Sequence, residues 1–303
     1  MAAQRMTSLN KPLRLGIVGL GKMGRLHCKS WRQVPGIQLR ALVDNDPGKA
    51  EWAAEQGCEF FSDSRALLGK VDLAVIATPS SEHLGSALPL LEGRIHCLVE
   101  KPLALDFAAC RQLVLAAQQH QVLLAVGHSE RFNPAIQLAQ QALAGPVSRA
   151  DILRVVPRLM AGMADTDVVL DLMVHDIDWL LDTLGEPGGE IRILEHRRSA
   201  GQLSHVRCEL AFAGGKRVNL TACREDQVRR QVILHGPDES RIIDLDQTGL
   251  SHQPDALTRQ ALAFVQSLGG RRSAIALGRD ALAVMDLSER IRQHCSISEV
   301  ITC

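Results

Sequence analysis

The first residues whose types and spacing suggest chemistry are Gly19-Leu20-Gly21-Lys22-Met23-Gly24, a G-x-G-x-x-G run directly after the apolar stretch Leu13–Val18. Between a strand and a helix, the first glycine permits a tight turn and the second lets backbone approach a pyrophosphate. The third allows close helix–strand packing, and the helix N-terminus supplies N–H donors for the phosphates. Asp44 stands twenty residues beyond Gly24 (44 − 24 = 20), at the end of the second apolar stretch. A carboxylate there accepts hydrogen bonds from an adenosine ribose and repels a 2′-phosphate, which favours NAD over NADP. No Arg adjoins Asp44 to hold a phosphate, and Asp44-Asn45-Asp46-Pro47 also reads as a turn that caps the next helix.

Two further clusters, Ala77-Thr78-Pro79-Ser80-Ser81-Glu82-His83 and Val99-Glu100-Lys101-Pro102-Leu103, follow later apolar runs. The carboxyl ends of parallel strands are where open α/β sheets bind ligands, so Thr78, Pro79, His83 and Glu100 are candidate cofactor contacts. Lys101 in such a place can donate to a reacting oxygen; a solvated lysine ahead of a helix is the equally available reading. Asp171 and His175 lie four residues apart and share one face of a helix, and Asp178 and Asp182 continue that stripe. A polar stripe is usually a solvated face. A neutral imidazole could also take a hydroxyl proton, with the carboxylate orienting the substrate or the ring.

These residues need elements to hold them. Short apolar runs at Leu13–Val18, Ile37–Val43, Val71–Ile76, Ile95–Val99 and Val122–Val126 alternate with helix-compatible stretches. That alternation predicts parallel βαβ units covered on both faces. Past Gly127 the rhythm changes. Helical patterns over Phe132–Ala144 and Asp165–Leu184 enclose a strand at Val147–Val156. Strand-like runs then follow at Ile191–Glu195, His205–Phe212, Arg217–Ala222, Gln231–His235 and Arg241–Leu245, separated by short turns as in an antiparallel sheet. Helical stretches near Ala256–Leu268 and Arg279–His294 close the chain. The expected division is residues 1–128, a dinucleotide-binding domain, and 129–303, a second α/β domain.

Composition narrows the function classes. The 303 residues carry 34 Lys plus Arg and 34 Asp plus Glu, so no basic excess points to nucleic acid. Aromatics are 3%, with no Tyr, which leaves no stacking platform for single strands. No apolar run approaches the ~18 residues of a membrane span, and the N-terminal residues lack the apolar stretch of a signal peptide. Eight scattered cysteines without a C-x-x-C pair read as reduced thiols, with neither a disulfide framework nor a metal site. The expectation is a soluble cytoplasmic protein that binds neither nucleic acid nor membrane.

In order, G-L-G-K-M-G-R-L-H, A-T-P-S-S-E-H, V-E-K-P-L and D-L-M-V-H-D-I-D resemble the Gfo/Idh/MocA family of nicotinamide-dependent oxidoreductases across essentially the whole chain. The resemblance implies an N-terminal Rossmann domain and a C-terminal α/β domain, residues 129–303, that binds substrate and has an open, mostly antiparallel sheet that often serves in oligomer contacts. It also implies a catalytic trio at Lys101, Asp171 and His175. The stretch Gly127-His-Ser-Glu-Arg-Phe-Asn-Pro134 is similar to UDP-N-acetylglucosamine 3-dehydrogenases within the family. That similarity implies a nucleotide-sugar substrate oxidised at C3 in amino-sugar synthesis of the lipid A type, a downstream aminotransferase, and substrate contacts from Arg131 and Asn133. From the residues alone, Arg131-Phe132-Asn133-Pro134 reads as a cap of the following helix with Pro in its first turn. A free sugar or polyol is the alternative substrate, and a non-catalytic NAD-binding sensor the alternative class. The sequence departs from the family where D-x-G-V is expected, with Asp167 in place of Gly. Arg158 in the preceding loop would still meet a diphosphate, whereas a cleft-facing Asp167 would oppose an anion.

Overall fold

The computed structural model describes residues 11–157, 166–236, 239–246 and 254–301. The chain forms two compact units, one from residues 1–104, 111–127 and 254–278 and the other from 105–110, 128–253 and 279–303.

The elements run β1 (Leu13–Val18), α1 (Lys22–Trp31), β2 (Ile37–Val43), α2 (Ala50–Glu55), β3 (Glu59–Phe61), β4 (Leu73–Ile76), α3 (His83–Glu92), β5 (His96–Val99), α4 (Phe107–Gln119) and β6 (Leu124–Val126). They continue with α5 (Pro134–Ala144), β7 (Arg149–Pro157), α6 (Val174–Leu184), β8 (Arg192–Ser199), β9 (Gln202–Ala211), β10 (Arg217–Glu225), β11 (Arg229–His235) and β12 (Ser240–Asp244). Last come α7 (Ala256–Leu268), β13 (Ala276–Leu277) and α8 (Gly278–Ile301).

In the first unit the sheet order is β13-β6-β5-β4-β1-β2-β3, parallel except for β13, which runs antiparallel to β6. All four residues of β4 are buried, as a central parallel strand covered on both faces requires. The order reverses between β1 and β4, and the loops after these strands carry the glycine run and Thr78-Pro79. This is the Rossmann arrangement, in which ligands lie at the switch point. Its closing elements come from far along the chain. Trp31 of α1 meets Phe264 of α7 edge to face, with ring centroids 5.8 Å apart, and Gln260 is fully buried.

In the second unit the order is β12-β11-β7-β10-β9-β8. Among the described residues only β7 and β10 pair in parallel; the other pairings of this sheet are antiparallel. Along β9, Val206, Cys208 and Leu210 are buried while the residues between them are half-buried or exposed, so one face of the sheet is the better covered. The helical segment expected from Asp165 is described from Thr166 onward. It opens with a π-helical turn over Val169–Met173 before α6 begins.

Candidate functional site

The three glycines play distinct roles in the loop between β1 and α1. Gly19 has φ +89°, and a Cβ there would lie 2.6 Å from the backbone of Ala77 and Thr78. A Cβ on Gly24 would fall 1.8 Å from the carbonyl oxygen of Gly19, so only glycine lets α1 start this close to the strand. At Gly21 the added carbon would meet nothing within 4 Å, which leaves open space at the helix N-terminus. Lys22 is exposed and Met23 half-buried at the start of α1. Leu20 turns its side chain into the core and donates its N–H to Asp44 Oδ2 at 2.7 Å.

Asp44 is thus tied to the loop it was expected to complement. Its Oδ1 also accepts from Asp46 N at 3.0 Å, and its Oδ2 accepts from Lys49 Nζ at 2.9 Å. Burial alone would raise this carboxyl, but the N–H groups of Asp46 and Leu20, together with the Lys49 ammonium, hold it below the usual carboxylate range. Asp46 caps the single turn Pro47–Lys49 by accepting from Gly48 N, so the turn reading of this stretch holds as well.

At the other side of the switch point, Thr78 Oγ1 is buried without a hydrogen-bond partner among the described residues. Pro79 is exposed beside it. His83 is buried, with Nε2 3.0 Å from the carbonyl oxygen of Thr78 and Nδ1 2.9 Å from that of Pro102. Burial lowers its pKa, which favours the neutral ring, so it donates to one of these carbonyls at a time. His83 therefore staples the Thr78-Pro79 loop to the turn after Lys101. A dinucleotide fits this set: bare backbone at Gly21, a ribose acceptor in Asp44, and an unsatisfied hydroxyl at Thr78.

Glu100 and Lys101 directly follow β5, and the Lys101–Pro102 bond is cis. Glu100 Oε1 lies 2.7 Å from Nε2 of His27, a residue fully buried on α1, and its Oε2 accepts from Lys101 N at 3.3 Å. Burial pushes the Glu100 carboxyl up, yet His27 and Lys101 outweigh it and the net direction is down. A Cβ on Gly127 would come within 2.8 Å of the Glu100 carboxylate, so Gly127 makes room for it. From sequence His27 reads as a packing or surface residue. The structure makes it the partner of Glu100, and the available signal was its position three residues after Gly24, on the buried face of α1.

In the second unit, Asp171 lies in the π turn and His175 in the first turn of α6, both half-buried. Single π turns inside helices are frequent at functional sites. Asp167 sets up this entry: its Oδ1 accepts from the N–H groups of Val169 and Leu170 at 3.0 and 3.1 Å, and its Oδ2 from Arg292 at 2.8 Å. The carboxylate in place of the expected glycine is thus a helix cap with its own cation. Asp171 Oδ2 accepts from Arg224 at 3.0 Å, and the same guanidinium donates to the Thr166 carbonyl oxygen at 3.1 Å. Arg224, at the end of β10, carries no motif that would single it out in the sequence.

Further along the polar stripe Asp182 is exposed, but Asp178 is not, and neither is its neighbour Asp176. Asp176 and Asp178 are buried, each gripped by two parallel bonds from one arginine. Arg154 holds Asp176 at 2.8 and 2.8 Å, and Arg131 holds Asp178 at 2.7 and 2.7 Å. In place of an open guanidinium for substrate, Arg131 is a buried ion-pair partner that also lies 3.4 Å from Asp182 and 3.7 Å from Asp280. Asn133 accepts from Ala135 N at 3.0 Å as the cap of α5, with Pro134 in the first turn, and donates to Leu245 O at 3.1 Å. The capping reading of this stretch is the one its bonds follow, and the ion pairs clamp the helix that bears His175. Arg158 lies outside the described residues.

Among the described residues, one group has metal-ligand types close together, His205, Cys223 and Glu225, with ligand atoms within 4.8 Å. Arg197 donates to His205 Nδ1 at 3.2 Å and lies 3.8 Å from Glu225, so a cation already sits among them. No helix of the described residues is long and apolar enough to cross a membrane.

Residues 13–128 match the family model described as "Oxidoreductase family, NAD-binding Rossmann fold". A UDP-N-acetylglucosamine 3-dehydrogenase of Acidithiobacillus ferrooxidans is 33% identical over 213 residues, which cover 70% of this chain and 67% of that protein. The chain belongs to the Gfo/Idh/MocA oxidoreductase family. It is an NAD-dependent oxidoreductase acting on CH–OH groups. An inositol 2-dehydrogenase of Acidothermus cellulolyticus is 29% identical over 63% of this chain, and the match spans 59% of that relative. A solved structure of the Acidithiobacillus ferrooxidans UDP-N-acetylglucosamine 3-dehydrogenase superposes with a TM-score of 0.81 at 27% identity, covering 92% of this chain and 96% of that one. The scyllo-inositol dehydrogenase of Lactobacillus casei, solved with NAD(H) and scyllo-inositol, shares the fold at a TM-score of 0.79 and 21% identity, over 93% of this chain and 96% of that one.

Proposed function

We propose that the chain oxidises a secondary hydroxyl of a sugar to a ketone, most specifically C3 of UDP-N-acetylglucosamine. In this reading His175 accepts the hydroxyl proton as a neutral imidazole, and Asp171, tied to Arg224, orients the substrate or the ring. Lys101 donates a hydrogen bond to the oxygen as alkoxide charge develops. Gly19, Gly21, Gly24, Asp44 and Thr78 hold the dinucleotide. NAD, when bound, takes the hydride from the carbon that bears the hydroxyl.

The observation that carries the reaction type is the Asp171/His175 pair at the head of a helix locked by buried ion pairs. Rigid placement of this kind is what proton transfer from a bound alcohol needs. Support for the UDP-sugar comes from the relative that is 33% identical. A free polyol is the second reading. Inositol dehydrogenases recur among the relatives, and Arg131 and Asn133, two expected nucleotide-sugar contacts, are engaged within the protein. We place the enzyme in amino-sugar synthesis, feeding its ketone to an aminotransferase, and working as a homo-oligomer in the cytoplasm. The test is NADH formation from NAD with UDP-N-acetylglucosamine, with myo-inositol and scyllo-inositol alongside and an aminotransferase plus glutamate to draw off the ketone. NADH formed only with the UDP-sugar, and lost in Lys101→Ala and His175→Ala, supports the first reading. Turnover of the inositols without the UDP group selects the second.

A further inference from the structure

The acidic residue that reads the adenosine ribose is expected to reject a 2′-phosphate by charge. Here that charge is not bare. Lys49 Nζ sits 2.9 Å from Asp44 Oδ2, and with only 7% of the Asp44 side chain exposed, the pair presents little net charge to a ligand. A carboxylate has about four acceptor positions. Leu20 N and Lys49 use those of Oδ2 and Asp46 N uses one of Oδ1, so Oδ1 keeps room for a single ribose hydroxyl.

Lys49 is well placed to do more than neutralise. It ends the turn capped by Asp46, and its own N–H donates to Asp46 O at 3.1 Å, which fixes its backbone beside the ribose position. Its side chain is 27% exposed, so the ammonium is reachable from solvent. An ammonium is a compact charge with three donors on a flexible stem, able to keep one bond to a carboxylate and give another to a phosphate oxygen. A second cation lies near: Arg25, one residue past Gly24, stacks its guanidinium 4.6 Å from the ring centre of Trp52, three residues beyond Lys49.

We infer that Lys49 sets the cofactor preference of this chain, neutralising Asp44 so that the site admits a dinucleotide phosphorylated on the adenosine 2′-hydroxyl alongside NAD. The inference rests on Asp44 being the ribose acceptor and is independent of the substrate. One charge-assisted hydrogen bond to a phosphate is worth roughly tenfold in affinity.

The test is titration of the full chain with NADH and with NADPH, followed by nicotinamide fluorescence in the absence of any sugar. The wild type should bind NADPH within about tenfold of NADH. Lys49→Met should weaken NADPH by about tenfold and change NADH by less than about threefold, while Lys49→Arg keeps the wild-type ratio. Undetectable NADPH binding by a wild type that binds NADH overturns the inference. So does an NADPH/NADH ratio that is unmoved in Lys49→Met, or one that moves in Arg25→Ala instead. Asp44→Asn checks the footing: a weakened NADH affinity supports the ribose assignment, and an unchanged one overturns both it and the role of Lys49.

Discussion

The clearest perturbation is Arg131→Met, because the sequence and the structure give this arginine different roles. Its guanidinium donates two bonds of 2.7 Å to Asp178, whose side chain is 1% exposed. Removing one partner of a buried pair leaves an uncompensated charge, which costs about 3–5 kcal/mol. The longer contacts to Asp182 and Asp280 involve carboxylates 49% and 31% exposed, so their loss adds little. The expected deficit is therefore about 3 kcal/mol near neutral pH. The measurement is urea unfolding by circular dichroism near neutral pH, with hydrogen exchange of peptides from α6 to localise the change. Arg131→Met/Asp178→Leu, which leaves no buried charge, should recover more than half of the loss. A deficit below about 1 kcal/mol, accompanied by a raised KM for the sugar, would refute the structural role and return Arg131 to substrate binding.

Other outcomes follow from the same geometry. Gly24→Ala should weaken NAD by at least about tenfold and lower thermal stability, because its Cβ meets the Gly19 carbonyl at 1.8 Å; Gly21→Ala, which meets nothing, should weaken NAD while leaving stability unchanged. The Glu100 carboxyl is held below its ordinary value of 4.5, so its contribution to stability is full above that pH and lost as pH falls through the lower folded value. Acid unfolding of Glu100→Gln should therefore be less steep in this range than that of the wild type. Arg224→Met should lower kcat by about tenfold with little change in NAD affinity, and Arg224→Lys should restore part of it, if Arg224 holds Asp171 in place.

Much of the first unit was legible in the sequence because its determinants are local. Strand-length apolar runs mark β1, β2, β4, β5 and β6, and the spacing from the glycine run to Asp44 follows from one βαβ unit. Gly19 and Gly24 are required by contacts within one turn and its neighbouring strand, so their roles could be assigned before any coordinates. The cap at Asn133 and Pro134 was readable for the same reason. Two strands were not. β3 and β13 are three and two residues long, and what makes them strands is pairing with β2 and β6 rather than any pattern of their own.

The partners of the charged residues were decided only by the tertiary structure. Lys49 on Asp44 is five residues away in sequence, but Arg131 on Asp178, Arg224 on Asp171 and Arg292 on Asp167 are separated by 47, 53 and 125. A charge has no period and reads the same in sequence whether it meets water, a ligand or another side chain. Composition and spacing therefore determined the fold class, the dinucleotide loop and the residue types able to do the chemistry. Which carboxylates are left to meet a substrate, and which are buried against an arginine, was settled by long-range packing. There the high cost of an unpaired charge in a dry interior brings distant residues together.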